Sequence, residues 1–164
     1  MTHLVSASRL VAGSADEVFN VITDISGLPE WNATITAVIE RPEHLCEGAQ
    51  WTVEICALGR TWQSRSTVET LDPIRRCFAY RSASDDGNPS FALWTWVVVP
   101  HPDGALVTVA GELHALTFVR RALLVRIRAR QLGHNELVDS LAALEAATHS
   151  VSGAVPGTNP GGNK

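Results

Sequence analysis

The residues best suited to acid–base chemistry are Glu112, His114 and His134. Glu112 and His114 are two positions apart in a segment rich in Val and Thr, so on a strand their side chains share one face. A buried Glu–His pair can act as general base and general acid, as proton abstraction beside a carbonyl requires. If that face points inward, Glu112 with His114 or His134 could catalyse aldol-type ring closure or dehydration. If it points outward, the pair is solvated.

Metal-dependent and nucleophilic catalysis have no support in the sequence. The six histidines and three cysteines show no HExxH or CxxC spacing, and GxSxG, GxGxxG and P-loop motifs are absent. We therefore predict no metal and no cofactor. The odd number of cysteines does not fit a disulfide framework, which favours a cytoplasmic location.

Tryptophan is frequent in this chain, with five Trp against one Tyr. An indole is large and apolar but carries an N–H, so it suits an apolar wall that must meet another molecule. Trp94 and Trp96 share one face of a predicted strand. We place that face inward, because two exposed indoles on a soluble sheet would be unusual.

A hairpin with Leu58 and Gly59 as its turn would set the register of two further strands. In that register one face is mostly apolar and the other is polar, so we place the apolar face inward. The residues on this inward face are Trp51, Val53, Ile55, Trp62 and Ser64.

The elements that must position these residues follow from turn signals and periodicity. Ser14 and Glu17 form a predicted capping box that opens a helix, and Gly27 and Pro29 break the chain after it. Sequential strands with short links form an antiparallel sheet, whose buried face a long helix over 118–146 can cover. The predicted strands are 3–11, 34–40, 49–57, 60–71, 75–83, 90–99 and 105–114.

The apolar stripe of the long helix is interrupted by Gln131 and His134, as where a helix crosses a partly polar cavity. An ordinary core helix with a hydrogen-bonded polar residue is the alternative. Basic residues crowd its first half and indicate either solvated charge or attraction to an anionic head group. These residues are Arg120, Arg121, Arg126, Arg128 and Arg130.

The composition fits one soluble globular domain. The chain has 164 residues, 45% hydrophobic and 18% charged, with a net charge of −4. That charge disfavours nucleic acid as a partner, and no apolar run is long enough for stable insertion into a membrane. We predict a domain over 1–148 and a disordered tail over 149–164, because the tail is rich in Gly, Pro, Ser and Asn.

Several local motifs resemble the START/Bet v1-like superfamily (SRPBCC; polyketide cyclase/dehydrase and lipid transport) over residues 3–146. They are Ala15-Asp16-Glu17-Val18-Phe19, Leu28-Pro29-Glu30-Trp31, Gly59-Arg60, Glu69-Thr70-Leu71-Asp72-Pro73 and Trp94-Thr95-Trp96. The resemblance implies an α+β helix-grip fold: a curved, antiparallel, seven-stranded sheet around a long C-terminal helix, with two short helices after the first strand. It also implies a cavity for apolar or amphipathic small molecules. Gly104-Ala105 stands where the family often has Gly-Thr.

Three functions are compatible with these features. The leading hypothesis is a binding module for a hydrophobic or amphipathic small molecule, lipid- or polyketide-like, acting as a monomer or homodimer. The alternatives are a cyclase or dehydratase that uses Glu112 with His114 or His134, and a protein-interaction role. The residues predicted to bind the small molecule are Trp31, Trp51, Trp62, Ser64, Trp94, Trp96, Gln131 and His134.

Overall fold

A computed structural model describes residues 2–116 and 129–152, except for the side chains of residues 133 and 134. The described part of the chain begins with a strand, continues through short helices into six further strands, and ends in a helix. The elements are β1 (Thr2–Val11), α1 (Ala15–Thr23), a 3₁₀ turn (Ile25–Gly27), α2 (Leu28–Trp31), β2 (Ile35–Glu40), β3 (Gln50–Ala57), β4 (Arg60–Asp72), β5 (Cys77–Ser84), β6 (Phe91–His101), β7 (Gly104–His114), a π-helical turn (Leu132–Glu136) and α3 (Leu137–Ser152).

The seven strands form one antiparallel sheet in the order β1-β7-β6-β5-β4-β3-β2. From β2 to β7 each strand pairs with its neighbours in sequence, whereas β1 pairs with β7, so β1 and β2 are the two edge strands of an open sheet. This is the predicted helix-grip architecture, with the C-terminal helix packed across one face of the sheet. The predicted hairpin register is also confirmed, because Ile55 pairs with Trp62 and Trp51 pairs with Ser66.

Local sequence signals explain where α1 begins and how β3 connects to β4. The Ser14 side chain accepts a hydrogen bond from the Glu17 N–H, and the Glu17 carboxylate accepts one from the Ser14 N–H, which completes the capping box. Leu58 and Gly59 have φ angles of 57° and 67°. Positive φ at both central residues is the type I′ geometry that joins two strands with a right-handed twist.

The hydrophobic core lies between the helices and one side of the sheet, which we call the inner face. On β7 the inner face is the alternating buried set that includes Val107, Val109 and Leu113, and on α3 the core residues include Leu141 and Leu144. We call the opposite side the outer face. An ion pair of 2.7 Å between Arg9 and Glu145 ties β1 to α3 at the rim.

The C-terminal helix extends further than its sequence predicts. It continues to Ser152, so residues 149–152, which we assigned to the tail, are helical. In this last part of the helix, the hydroxyls of Thr148 and Ser150 donate to the carbonyls of Leu144 and Ala146, one turn earlier. Residues 117–128, which hold the first half of the predicted helix and most of its arginines, and residues 153–164 lie outside the described residues. Within the described part of the chain, we find no helix with the length and apolar character to cross a bilayer.

Candidate functional site

A narrow cavity lies between the inner face of the sheet and the C-terminal helix. Its volume is about 70 Å³, several times below the roughly 300–1,000 Å³ of sites for drug-sized ligands. The sheet, the α2–β2 connection and the helix all contribute to its walls. The described lining residues are Asn32, Thr34, Ile35, Trp51, Val53, Ile55, Ser66, Tyr80, Ser82, Trp94, Trp96, Leu132, Glu136, Leu137 and Ser140.

Four aromatic side chains form the sheet wall of this cavity: Trp51, Tyr80, Trp94 and Trp96. The Trp51 and Tyr80 rings meet edge to face, with their centroids 5.0 Å apart. Trp31 packs from α2 against Trp96 at 5.3 Å, with the two ring planes almost perpendicular. Edge-to-face pairs of this kind hold one another in place. The inward orientation predicted for Trp94 and Trp96 is confirmed.

Gly111 allows the Trp94 ring to lie flat against β7. A Cβ atom placed on Gly111 would lie 2.6 Å from the Cζ3 atom of the indole, and 2.9 and 3.0 Å from the two ring atoms bonded to it. Such similar distances show that the position lies above the ring face rather than beyond its edge. One face of the Trp94 indole therefore covers the Gly111 backbone, and the opposite face is turned toward the cavity.

Tyr80 is the titratable group on the sheet wall. Burial raises the pKa of its phenol from 10.0 to about 12, although a hydrogen bond from the Trp96 side chain acts in the opposite direction. The phenol is therefore neutral at physiological pH. A phenol that accepts one hydrogen bond still has its own hydrogen to donate to a group in the cavity.

A serine cluster makes one part of the inner face polar. Ser64 pairs with Ser84, and Ser66 pairs with Ser82, across β4 and β5. The Oγ atoms of Ser64 and Ser82 are 2.7 Å apart, and the Ser64 hydroxyl donates to the carbonyl of Ala83. Because Ser64 donates its hydrogen to that carbonyl, Ser82 is the donor to Ser64. The Ser82 oxygen, which lines the cavity, keeps a lone pair for an external donor.

The helix side of the cavity is formed around the π-helical turn. Leu132 and Glu136 lie in that turn, and Leu137 and Ser140 follow it in α3. The Ser140 hydroxyl accepts a hydrogen bond of 2.9 Å from the Ala33 N–H, which ties α3 to the chain between α2 and β2. Turns of this kind occur often at functional sites.

The acidic residue of this wall, Glu136, was missed by sequence reasoning. The π-helical turn that positions Glu136 is a backbone hydrogen-bond pattern, and the apolar spacing of the sequence does not reveal it.

Of the residues predicted to bind the ligand, Trp51, Trp94 and Trp96 line the described cavity, and the others do not contact it directly or are not described. Trp62 and Ser64 are on the inner face by register, and Ser64 reaches the cavity only through Ser82. Four predicted residues are absent from the described lining of the cavity: Trp31, Trp62, Ser64 and Gln131. The side chain of His134 lies outside the described part of the structure.

The proposed acid–base pair lies on the wrong side of the sheet for chemistry in the cavity. Side chains alternate along β7, and Gly111 and Leu113 are buried on the inner face, so Glu112 and His114 point outward. There the His114 Nε2 atom is 3.4 Å from the Glu112 carboxylate, and its ring stacks on Phe91 at 4.5 Å. The prediction that this pair could face the cavity is wrong, which removes the main support for the catalytic alternative.

The described residues hold no cluster of three or more His, Cys, Asp or Glu side chains arranged to bind a metal ion. Acid–base groups within the described walls are limited to Tyr80 and Glu136.

Comparison with known proteins agrees with this architecture. Residues 2–147 match the family described as polyketide cyclase / dehydrase and lipid transport. The chain belongs to this family. The match spans the sheet, the short helices and most of the C-terminal helix, and so includes every described wall of the cavity. A search among curated proteins finds no match.

Solved structures with low sequence identity share the fold. The protein TTHA0849 from Thermus thermophilus is 18% identical, with a TM-score of 0.72 over 92% of this chain and 99% of that one. The Zhui aromatase/cyclase from Streptomyces sp. R1128 is 20% identical, with a TM-score of 0.71 over 96% and 100% of the two chains. A START superfamily protein from Mycobacterium smegmatis is 20% identical, with a TM-score of 0.68 over 91% and 99%. At these identities the likeness establishes the fold alone.

Proposed function

We propose that this protein binds a small amphipathic molecule with an aromatic or similarly flat apolar part, in the cavity between the sheet and the C-terminal helix. The observation that carries this proposal is the wall made by Trp51, Tyr80, Trp94 and Trp96. Flat apolar rings gain both burial and stacking energy against such a wall. Membership of a family that includes lipid carriers supports the same conclusion.

The polar groups of the cavity would orient the bound molecule. Ser66 and Ser82 on the sheet and Ser140 on the helix present hydroxyls to the same space as the indoles. A mostly apolar pocket with a few placed polar groups is typical of small-molecule sites. We therefore expect a ligand with one apolar part and at least one oxygen- or nitrogen-containing end.

The small volume of the cavity implies that binding requires the walls to separate. A space of about 70 Å³ holds a ligand's polar end but not a whole ring system. The sheet is tied together by ladders of hydrogen bonds, so the helix side, with its π-helical turn, is the wall that we expect to move.

The proposal is tested by titrating the purified protein with 2-naphthol, a neutral amphipathic ring, in isothermal titration calorimetry. Native mass spectrometry of the same preparation would detect a molecule that copurifies with it. We expect saturable binding, and we expect Trp94→Leu to weaken it at least tenfold. The matched control is Phe91→Leu, which removes a ring from the outer face of the same strand and should leave the affinity within about twofold. Equal losses in both variants, or no binding by the wild type, would contradict the proposal.

A cyclase or dehydratase activity is the second candidate, and the family match and the acid–base groups of the cavity favour it. Such an enzyme would draw its proton donor and acceptor from Tyr80 and Glu136 rather than from the outer face. Tyr80→Phe keeps the ring and removes the hydroxyl. In that variant, turnover of a polyketide-like substrate should fall while binding persists. Full turnover in both Tyr80→Phe and Glu136→Gln would exclude this mechanism.

A further inference from the structure

Two serines lie side by side on β4 and β5 in the wall of the cavity. Ser66 pairs directly with Ser82, and both residues line the cavity together with Trp51 and Tyr80. The Cβ atoms of directly paired residues are about 4.5–5.5 Å apart. A single ligand atom can therefore lie within hydrogen-bond distance of both serine hydroxyls.

The Ser66 hydroxyl is buried and keeps its hydrogen for a group in the cavity. Ser66 is only 2% exposed, and in the described part of the chain its side chain has no hydrogen-bond partner. A buried hydroxyl is costly when it has no partner, so a molecule that displaces water from this position must replace the lost hydrogen bond. Ser66 therefore favours a ligand atom that accepts a hydrogen bond.

Ser82 has the opposite requirement. The Ser64 hydroxyl donates to the carbonyl of Ala83, so the hydrogen of Ser82 is the one that lies between the Ser64 and Ser82 oxygens, which are 2.7 Å apart. With its hydrogen already donated, Ser82 presents only lone pairs to the cavity. Ser82 therefore favours a ligand atom that donates a hydrogen bond.

We propose that Ser66 and Ser82 form a subsite for a hydroxyl group at the polar end of the ligand, which accepts a hydrogen bond from Ser66 and donates one to Ser82. This inference rests on the proposed function and makes its ligand more specific. A hydroxyl oxygen carries one hydrogen and two lone pairs, so it meets both requirements at once. It is also compact enough for a space of about 70 Å³.

Other polar ends satisfy only part of this subsite. An ether or a ketone accepts a hydrogen bond from Ser66 but has no hydrogen to donate to Ser82. An ammonium group donates to Ser82 but has no lone pair for the hydrogen of Ser66. Sites that hydrogen-bond a hydroxyl discriminate strongly against analogues that lack it, because the polar groups of the protein are then left unpaired.

Three probes that share one ring system test this selectivity: 2-naphthol, 2-methoxynaphthalene and naphthalene. The ether is larger than 2-naphthol and the hydrocarbon is smaller, so size alone does not favour the hydroxyl compound over both. In calorimetric titrations of the wild-type protein at neutral pH, we expect 2-naphthol to bind at least tenfold more tightly than either of the other two. Equal affinities for 2-naphthol and the ether would overturn the proposal.

Two serine variants separate the two hydrogen bonds. Ser82→Ala removes the acceptor, so the affinity for 2-naphthol should fall at least fivefold while the affinity for the ether stays within twofold. Ser66→Ala removes the donor, so both oxygen-containing probes should bind more weakly while naphthalene is unaffected. The matched control is Ser6→Ala, which makes the same change at an exposed position on β1 and should leave all three affinities within twofold. An advantage of 2-naphthol that persists unchanged in Ser82→Ala would refute the assigned hydrogen bond.

The outcomes distinguish this inference from the proposed function. If the three probes bind with similar affinity and Trp94→Leu weakens all of them, the ligand-binding function stands and the hydroxyl subsite is refuted. If none of the probes binds, the proposed function fails together with this inference.

Discussion

The contact between Trp94 and Gly111 can be tested by adding a single methyl group. In Gly111→Ala the new Cβ would lie 2.6 Å from the indole, whereas ordinary contacts begin at 3.4 Å, so the ring must move by about 0.8 Å (3.4 − 2.6). Overpacking of this size costs about 1–3 kcal/mol. Alanine in a strand regains about 0.5–1 kcal/mol of backbone entropy over glycine. We expect a net loss of about 1–2 kcal/mol in the free energy of unfolding.

A double-mutant cycle separates the clash from other effects of the methyl group. Trp94→Leu removes the ring, so Gly111→Ala in that background should be neutral or stabilising by up to about 1 kcal/mol. Urea denaturation followed by circular dichroism measures all four proteins. In the single variant the displaced ring narrows the cavity, so 2-naphthol affinity should fall as well. If Gly111→Ala costs the same in both backgrounds, the flat packing of the ring on β7 is refuted.

Three further predictions follow from the described geometry. Tyr80 is the only tyrosine, so the ultraviolet absorbance of tyrosinate should titrate near pH 12 rather than pH 10. The pKa of Tyr80 is higher in the folded state than in the unfolded state. The resulting contribution to folding stability, about 2–3 kcal/mol, is therefore complete below pH 10 and is lost as the pH rises toward 12. A titration midpoint near 10 in the folded protein would contradict the burial of the phenol. Leu58→Asn should raise the free energy of unfolding by about 1 kcal/mol, because Asn tolerates the positive φ of a type I′ turn better than Leu does. This corresponds to a rise of roughly 2–4 °C in melting temperature. An unchanged melting temperature would argue against backbone strain at Leu58. Glu112→Ala and His114→Ala should leave 2-naphthol affinity unchanged, whereas a tenfold loss would place the pair in contact with the cavity.

The strands could be predicted from the sequence because their ends carry explicit turn signals. The Leu58-Gly59 turn fixed the register of β3 and β4, and with it the inward orientation of Trp51. The burial of Trp94 and Trp96 followed from the cost of exposing two indoles. The first inference depends on residues that are close in sequence or directly paired, and the second depends on the hydrophobicity of the side chains themselves.

The acid–base assignment failed because it depended on the orientation of one strand. Along β7, Val107 and Val109 alternate with Thr108 and Ala110, and both sets are compatible with burial. Gly111 decides which face of β7 points inward, because its missing side chain makes room for the Trp94 ring. That ring belongs to β6, so the sequence of β7 alone does not reveal the orientation. The π-helical turn that carries Glu136 is likewise a backbone hydrogen-bond pattern that side-chain periodicity does not specify.

The two faces of β6 explain why function is assigned to the inner one. On the outer face, the Phe91 ring has the Arg81 guanidinium at 3.7 Å and the stacked His114 ring at 4.5 Å, so its π-system already interacts with groups of the same chain. On the inner face, Trp94 rests one side of its ring on Gly111 and turns the other toward the cavity. An aromatic face that borders a cavity can gain energy only from a molecule that enters it. Of the two rings, Trp94 is therefore the one that can stack on a ligand. Its removal should weaken ligand binding, whereas the removal of Phe91 should not.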